Sequence, residues 1–118
     1  MAAMTSEADC LFCKIVAGDV PADVVLTTGH AVAFRDINPQ APTHVLVIPR
    51  SHHADAASLA AEEPSTLSHL VQVAAKVAEE DGVSDYRLVF NTGADAGQSV
   101  FHTHLHVLGG RQMSWPPG

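Results

Sequence analysis

The chain has 118 residues, 47% of them hydrophobic, which is enough to build one globular core and too little for a second domain. Thirteen acidic residues against six basic ones give a net charge of −7 and no basic patch, which excludes the usual means of gripping a nucleic-acid backbone or an anionic membrane. An anionic small molecule would have to be held locally, by histidines, backbone N–H groups or helix N-termini.

Residues 1–9 are small and polar, with Glu7 and Asp9 and no basic residue; they read as a flexible N-terminus rather than a secretory signal, ahead of one domain over residues 10–118. No run of about 18 apolar residues is present to span a bilayer, and a cytoplasmic location is the expectation. Residues 10–17 predict a short helix stopped by Gly18. Residues 24–28 and 31–36 predict two strands of a hairpin around Gly29, and residues 44–49 an apolar strand stopped by Pro49. A helical region follows, and in its second part Leu67, Leu70, Val71, Ala74, Val77 and Ala78 form one stripe between Pro64 and Gly82. Residues 86–91 predict a strand, residues 92–99 a glycine-containing loop, and residues 102–108 a last strand. Strands, a helix, then strands again argue the α+β class: a mostly antiparallel sheet with one main helix and a short N-terminal helix.

Two patterns carry chemistry. Cys10 and Cys13 form a Cys-x-x-Cys pair, which is either a redox pair or half of a zinc site. In His102-Thr-His104-Leu-His106-Val-Leu, the three histidines alternate. On a strand they share one face, about 7 Å apart, while Thr103, Leu105 and Val107 face a core. Three imidazoles are costly to bury without partners, so they line a cleft; the plainer alternatives are a histidine-rich surface strand or an accidental chelator. Neutral imidazole is a good nucleophile toward phosphorus, and a second histidine can hydrogen-bond phosphate oxygens or move a proton. Gly97, Gln98 and Ser99 lead into the same strand, with a close backbone approach and hydrogen-bonding side chains. His52 and His53 read as solvated, His69 as a surface residue, and His30 as a turn residue.

The triad segment resembles the motif of the histidine triad (HIT) family, and the likeness runs through residues 36–49, Asn91, residues 97–99 and the tail at 109–118, which resemble the Hint branch. The resemblance implies a purine nucleoside phosphoramidate hydrolase with His104 as the nucleophile and His106 on the phosphate. Asn91, Gly97, Gln98 and Ser99 would hold the phosphate and the leaving group, with Ser99 beside the departing amine. Asp36 would take the ribose hydroxyls, and Leu11, Phe12, Ile15, Phe34 and Ile37 would enclose the purine. It also implies a homodimer with one continuous sheet, its tail with Trp115 reaching the partner's site. Some bacterial relatives carry structural zinc, and Cys10, Cys13, His44 and His102 are the ligand set the likeness offers here. Thr103 departs from the apolar residue usual in the motif, with little effect expected, and Ser114 stands where some relatives have histidine. Dinucleoside polyphosphate hydrolysis is the alternative reaction, and a non-catalytic nucleotide-binding or protein-interaction module the alternative class.

Overall fold

The centre of the fold is a strand with no polar face. β3 (Thr43–Pro49) is buried at every residue, because the sheet it belongs to is covered on both sides. The computed structural model describes residues 7–118; the expectation for residues 1–6 lies outside them. β1 (Val24–Thr27), β2 (Ala31–Arg35), β3, β4 (Tyr86–Val89) and β5 (Leu105–Gly109) form one antiparallel sheet in the order β1-β2-β3-β5-β4. Val45 and Val47 of β3, with Leu105 and Val107 of β5, face α3 (Pro64–Glu80), which buries Leu70, Val73, Ala74, Val77 and Ala78 against them. The packed stripe uses Val73 where the sequence pattern pointed to Val71, which is exposed.

The other residues of the same strands face the opposite way. There Leu46 and Ile48 join Val32 and Phe34, and Phe12 of α1 (Leu11–Ala17) packs on them. α1 has one side-chain cap at its start, where Cys10 Sγ accepts from the Cys13 amide at 3.3 Å. It ends at Gly18, whose φ of 82° closes the helix in the left-handed region. α2 (Ala56–Glu62) is a further short helix, capped by Asp55 on the Ser58 amide. Two opposed cores thus leave α1, among the described residues, as the only helix over the face on which His106 of β5 lies.

β5 starts later than predicted. The ladder with β3 begins at Val47 opposite Leu105, and the next residues of β3 lead to Pro49, which has no N–H to give. The Pro49 carbonyl is taken by the His102 side chain instead, so residues 102–104 approach the sheet without joining it.

Asp81, just past the end of α3, ties that helix to β2 and β3. It accepts two bonds from the Arg35 guanidinium (2.6 and 2.9 Å) and one from Thr43 Oγ1 (2.8 Å). The Arg35 hydrogen bonds hold the Asp81 carboxyl down to about 2, against the desolvation that would raise it. A depressed folded-state value stabilises the fold above the unfolded carboxyl's range and is lost as pH falls through the folded value, here between about pH 4 and pH 2. Asp81→Asn is expected to cost about 1–2 kcal/mol at neutral pH, allowing for screening at the partly exposed Arg35. In thermal unfolding the gap to the wild type should close as the pH approaches 2; a gap independent of pH would contradict this role.

Among the described residues, no helix is long and apolar enough to cross a membrane.

Candidate active site and metal centre

The hydrogen bonds of the histidines fix which ring nitrogen carries the proton. Nδ1 of His104 lies 2.8 Å from the His102 carbonyl, which can only accept, so in the neutral ring the proton is on Nδ1 and Nε2 keeps its lone pair. The Gln40 amide donates to Nδ1 of His44 at 2.9 Å, which places the His44 proton on Nε2. That nitrogen lies 2.9 Å from Nδ1 of His106, so His106 accepts there and carries its own proton on Nε2. Burial, then the neighbouring His104 and His44, push His106 down to about 4, and burial also lowers His44. With its rings neutral, the site presents a lone pair on His104 and an N–H on His106, with the two ring centroids 5.1 Å apart.

Both rings line a cavity of about 400 Å³. Its apolar wall includes Leu11, Phe12, Ile15, Phe34, Ile37 and Val100, and its polar edge Asp36, Asn91 and Ser99, with Gly97 beside them. Phe12 meets His104 edge-on at 5.1 Å, so α1 both forms part of the cavity wall and packs against the His104 ring. Gly97 has φ 98°, a conformation natural to glycine, and a Cβ there would stand 3.5 Å from the Asn91 side chain.

Of the cavity residues expected from the sequence, Gln98 alone is placed otherwise. Its side chain is buried and already engaged: Oε1 accepts from the Gly93 amide (2.9 Å), and Nε2 donates to the carbonyls of Ala54 (2.6 Å) and Val100 (3.1 Å). It shapes the loop that carries Ser99, and does not itself face the cavity.

A second constellation lies behind the triad. His102 donates from Nε2 to the Pro49 carbonyl at 2.9 Å, which leaves the lone pair on Nδ1. Nδ1 faces Cys10 Sγ at 3.4 Å, Cys13 Sγ at 3.5 Å and His52 Nδ1 at 3.3 Å, and Cys13 Sγ lies 3.4 Å from His52 Nδ1. Zinc bonds of about 2.3 Å to sulfur and about 2.0–2.1 Å to nitrogen give tetrahedral edges of roughly 3.3–3.8 Å. The four groups thus stand at the vertices a zinc ion needs. Burial pushes His102 down to about 4, as suits a neutral ligand. Burial also pushes the Cys13 thiol up, and a bound cation would reverse that shift. Around the set, the Glu7 amide donates to Cys13 Sγ (3.5 Å), and the Glu7 carboxylate lies 3.5 Å from Nε2 of His52, the outer support a ligating histidine commonly has.

This differs from the ligand set inferred from the sequence: His52, not His44, stands with Cys10, Cys13 and His102. His44 lies five residues before Pro49 on an extended strand, about 17 Å away, and its Nε2 is instead 3.4 Å from Asp36 Oδ2. Asp36, His44 and His106 are close enough to invite a metal. The bonds from Gln40 through His44 to His106 already account for both Nδ1 lone pairs, so a metal is not needed to explain their approach.

Three further positions differ from expectation. His52 and His53 are largely buried rather than solvated, and His53 pairs with Glu63 at 2.5 Å. His69 is half-buried, its Nε2 2.7 Å from Thr28 Oγ1, while His30 is in the exposed turn as expected. The Thr103 hydroxyl is not idle either: it donates to the His53 carbonyl at 2.9 Å. The doubled histidine after Pro49 was the only signal for this region, and spacing alone does not say which of the two turns inward.

The HIT domain family model matches residues 17–113. The chain belongs to the HIT domain family. It is 47% identical over 111 residues to an uncharacterised HIT-like protein of Synechocystis, covering 93% of this chain and 97% of the relative. It is 48% identical over 111 residues to a protein of Zea mays described as a 14 kDa zinc-binding protein, covering 92% and 87%. A HIT family hydrolase of Legionella pneumophila has a solved structure that superposes with a TM-score of 0.89 at 50% identity, over 93% of this chain and 100% of that one. A HIT family hydrolase of Clostridium thermocellum superposes with a TM-score of 0.89 at 40% identity, over 92% and 96%.

Proposed function

We propose that this HIT protein hydrolyses purine nucleoside 5′-phosphoramidates through a covalent nucleotidyl intermediate on His104. The observation that carries the reading is a His104 ring bonded through Nδ1, so that Nε2 keeps its lone pair in the neutral tautomer, beside an N–H on His106 in one cavity with an apolar wall. His104 Nε2 attacks phosphorus, the P–N bond breaks, and the amine departs with a proton from the Ser99 hydroxyl, which takes another from solvent. Water then attacks the adduct, His104 leaves, and the nucleoside monophosphate is released. His106 and Asn91 hold phosphate oxygens, the Gly97 backbone comes close to them, and Asp36 takes the ribose hydroxyls. Leu11, Phe12, Ile15, Phe34 and Ile37 take the base, with no side chain to read one purine against the other. Gln98 acts one step removed, by holding the loop.

The residues fit a structural zinc ion, which Cys10, Cys13, His52 and His102 would hold with no open position. It would clip α1 to the segment that carries the nucleophile, and the chemistry needs no metal. The Zea mays relative's description agrees with this assignment. The protein would work in the cytoplasm as a homodimer. Among the described residues β4 pairs only with β5, so its other edge would continue the sheet into a second copy, with Trp115, exposed here, reaching across.

The test is direct comparison of substrates. An adenosine 5′-phosphoramidate with a fluorescent amine should turn over at least about 10-fold faster, by kcat/KM, than a diadenosine polyphosphate. The reverse order would assign the polyphosphate reaction. Tight AMP binding with turnover of neither would make the protein a binding module.

A further inference from the structure

We infer that Glu63 is a positioning residue for His104, acting through the loop of residues 51–54 without touching substrate. The inference rests on the reading of His104 as nucleophile.

The starting point is a missing constraint. Residues 102–104 stand outside the β3–β5 ladder, so the sheet does not set where the His104 backbone lies. Beside the His102 side chain's bond to the Pro49 carbonyl, the backbone there is held by a loop contact: the His53 carbonyl accepts from the Thr103 amide at 2.7 Å and from the Thr103 hydroxyl at 2.9 Å. Thr103 is fully buried between His102 and His104, so its peptide cannot move without moving both rings. One residue on, the Ala54 carbonyl accepts from Gln98 Nε2 at 2.6 Å, which fastens the Ser99 loop to the same support.

The loop itself is fastened at Glu63, the residue between α2 and α3. Glu63 Oε2 accepts from Ser51 Oγ at 2.7 Å and lies 2.5 Å from His53 Nε2, and Oε1 accepts from Thr66 Oγ1 at 3.1 Å. Ser51 donates to the carboxylate and not to the imidazole, so the group is not a second nucleophile relay. Nor is it a helix cap, since the Glu63 side chain makes no capping bond to the α3 backbone. What remains is a tie running from the helix junction through His53 to the peptide beside the nucleophile. Small displacements of a reacting group cost rate steeply, and couplings of this length act through chains of packed and hydrogen-bonded groups.

The experiment compares wild type, Glu63→Ala and Glu63→Gln on an adenosine phosphoramidate, with AMP binding and ¹H–¹⁵N spectra of the histidine rings recorded on the AMP-bound proteins. Glu63→Ala should lower kcat between about 10- and 100-fold with KM within about twofold. It should shift the His104 ring signals while those of His69 stay in place. Glu63→Gln, whose amide oxygen still accepts, should recover most of kcat. An unchanged kcat in Glu63→Ala overturns the inference. So does a parallel loss of kcat, AMP binding and Tm, which marks a merely structural residue. If the wild type itself turns over no phosphoramidate, the functional reading fails, and the His104 ring signals alone decide whether Glu63 sets that residue.

Discussion

His104→Ala is expected to lower kcat on an adenosine phosphoramidate by about 10⁴-fold or more, while AMP binds within a few-fold of wild type. The reason is a division of labour. On the proposed function, the cavity's affinity would come from its apolar wall and from phosphate and ribose contacts at its polar edge, whereas the reaction would need the one lone pair that the His102 carbonyl leaves free. His104 also packs edge-on against Phe12, so an alanine opens a small gap in the wall, and a modest loss of binding belongs to the expected result. Steady-state kinetics beside AMP titration separates the two effects. Activity within about tenfold of wild type would remove His104 from the role of nucleophile.

The second large effect concerns the metal. Protein purified without chelator should carry about one zinc per chain. Structural zinc contributes about 10 kcal/mol to the folding of peptides that depend on it wholly. Here α1 is also held by Phe12 in the core, so part of the fold should survive removal, and a fall in Tm of about 10 °C or more is expected. Because α1 supplies Leu11, Phe12 and Ile15 to the cavity, nucleotide binding should weaken with it. His52→Ala should reproduce both losses, and His44→Ala should keep its zinc. Zinc content and thermal unfolding of the two variants decide the ligand set: retention of metal by His52→Ala with loss in His44→Ala would reverse it.

Most of the site was legible because alternation is a strong signal. A two-residue period places Leu105 and Val107 in one core and His104 and His106 over the other, and the structure follows it. The helix stripe from Pro64 and the stop at Gly18 were equally plain, since each rests on local backbone chemistry. What the sequence left hidden depends on distance across the fold. That His52 and not His44 meets Cys10 and Cys13 follows from where Pro49 ends the strand and how the chain turns after it. The inward turn of Gln98 follows from three backbone groups that only the folded loop assembles. The tie from Glu63 through His53 to Thr103 joins residues 10 and then 50 apart in sequence, and no periodicity marks it.

The central claim is the covalent step, and it is best tested by quenching wild-type protein within its first turnover on an adenosine phosphoramidate and weighing the intact chain. One adenylyl group per chain, released by acid and located on His104 by fragmentation, is the expected result. Turnover with no adduct, or an adduct on any other residue, would contradict it.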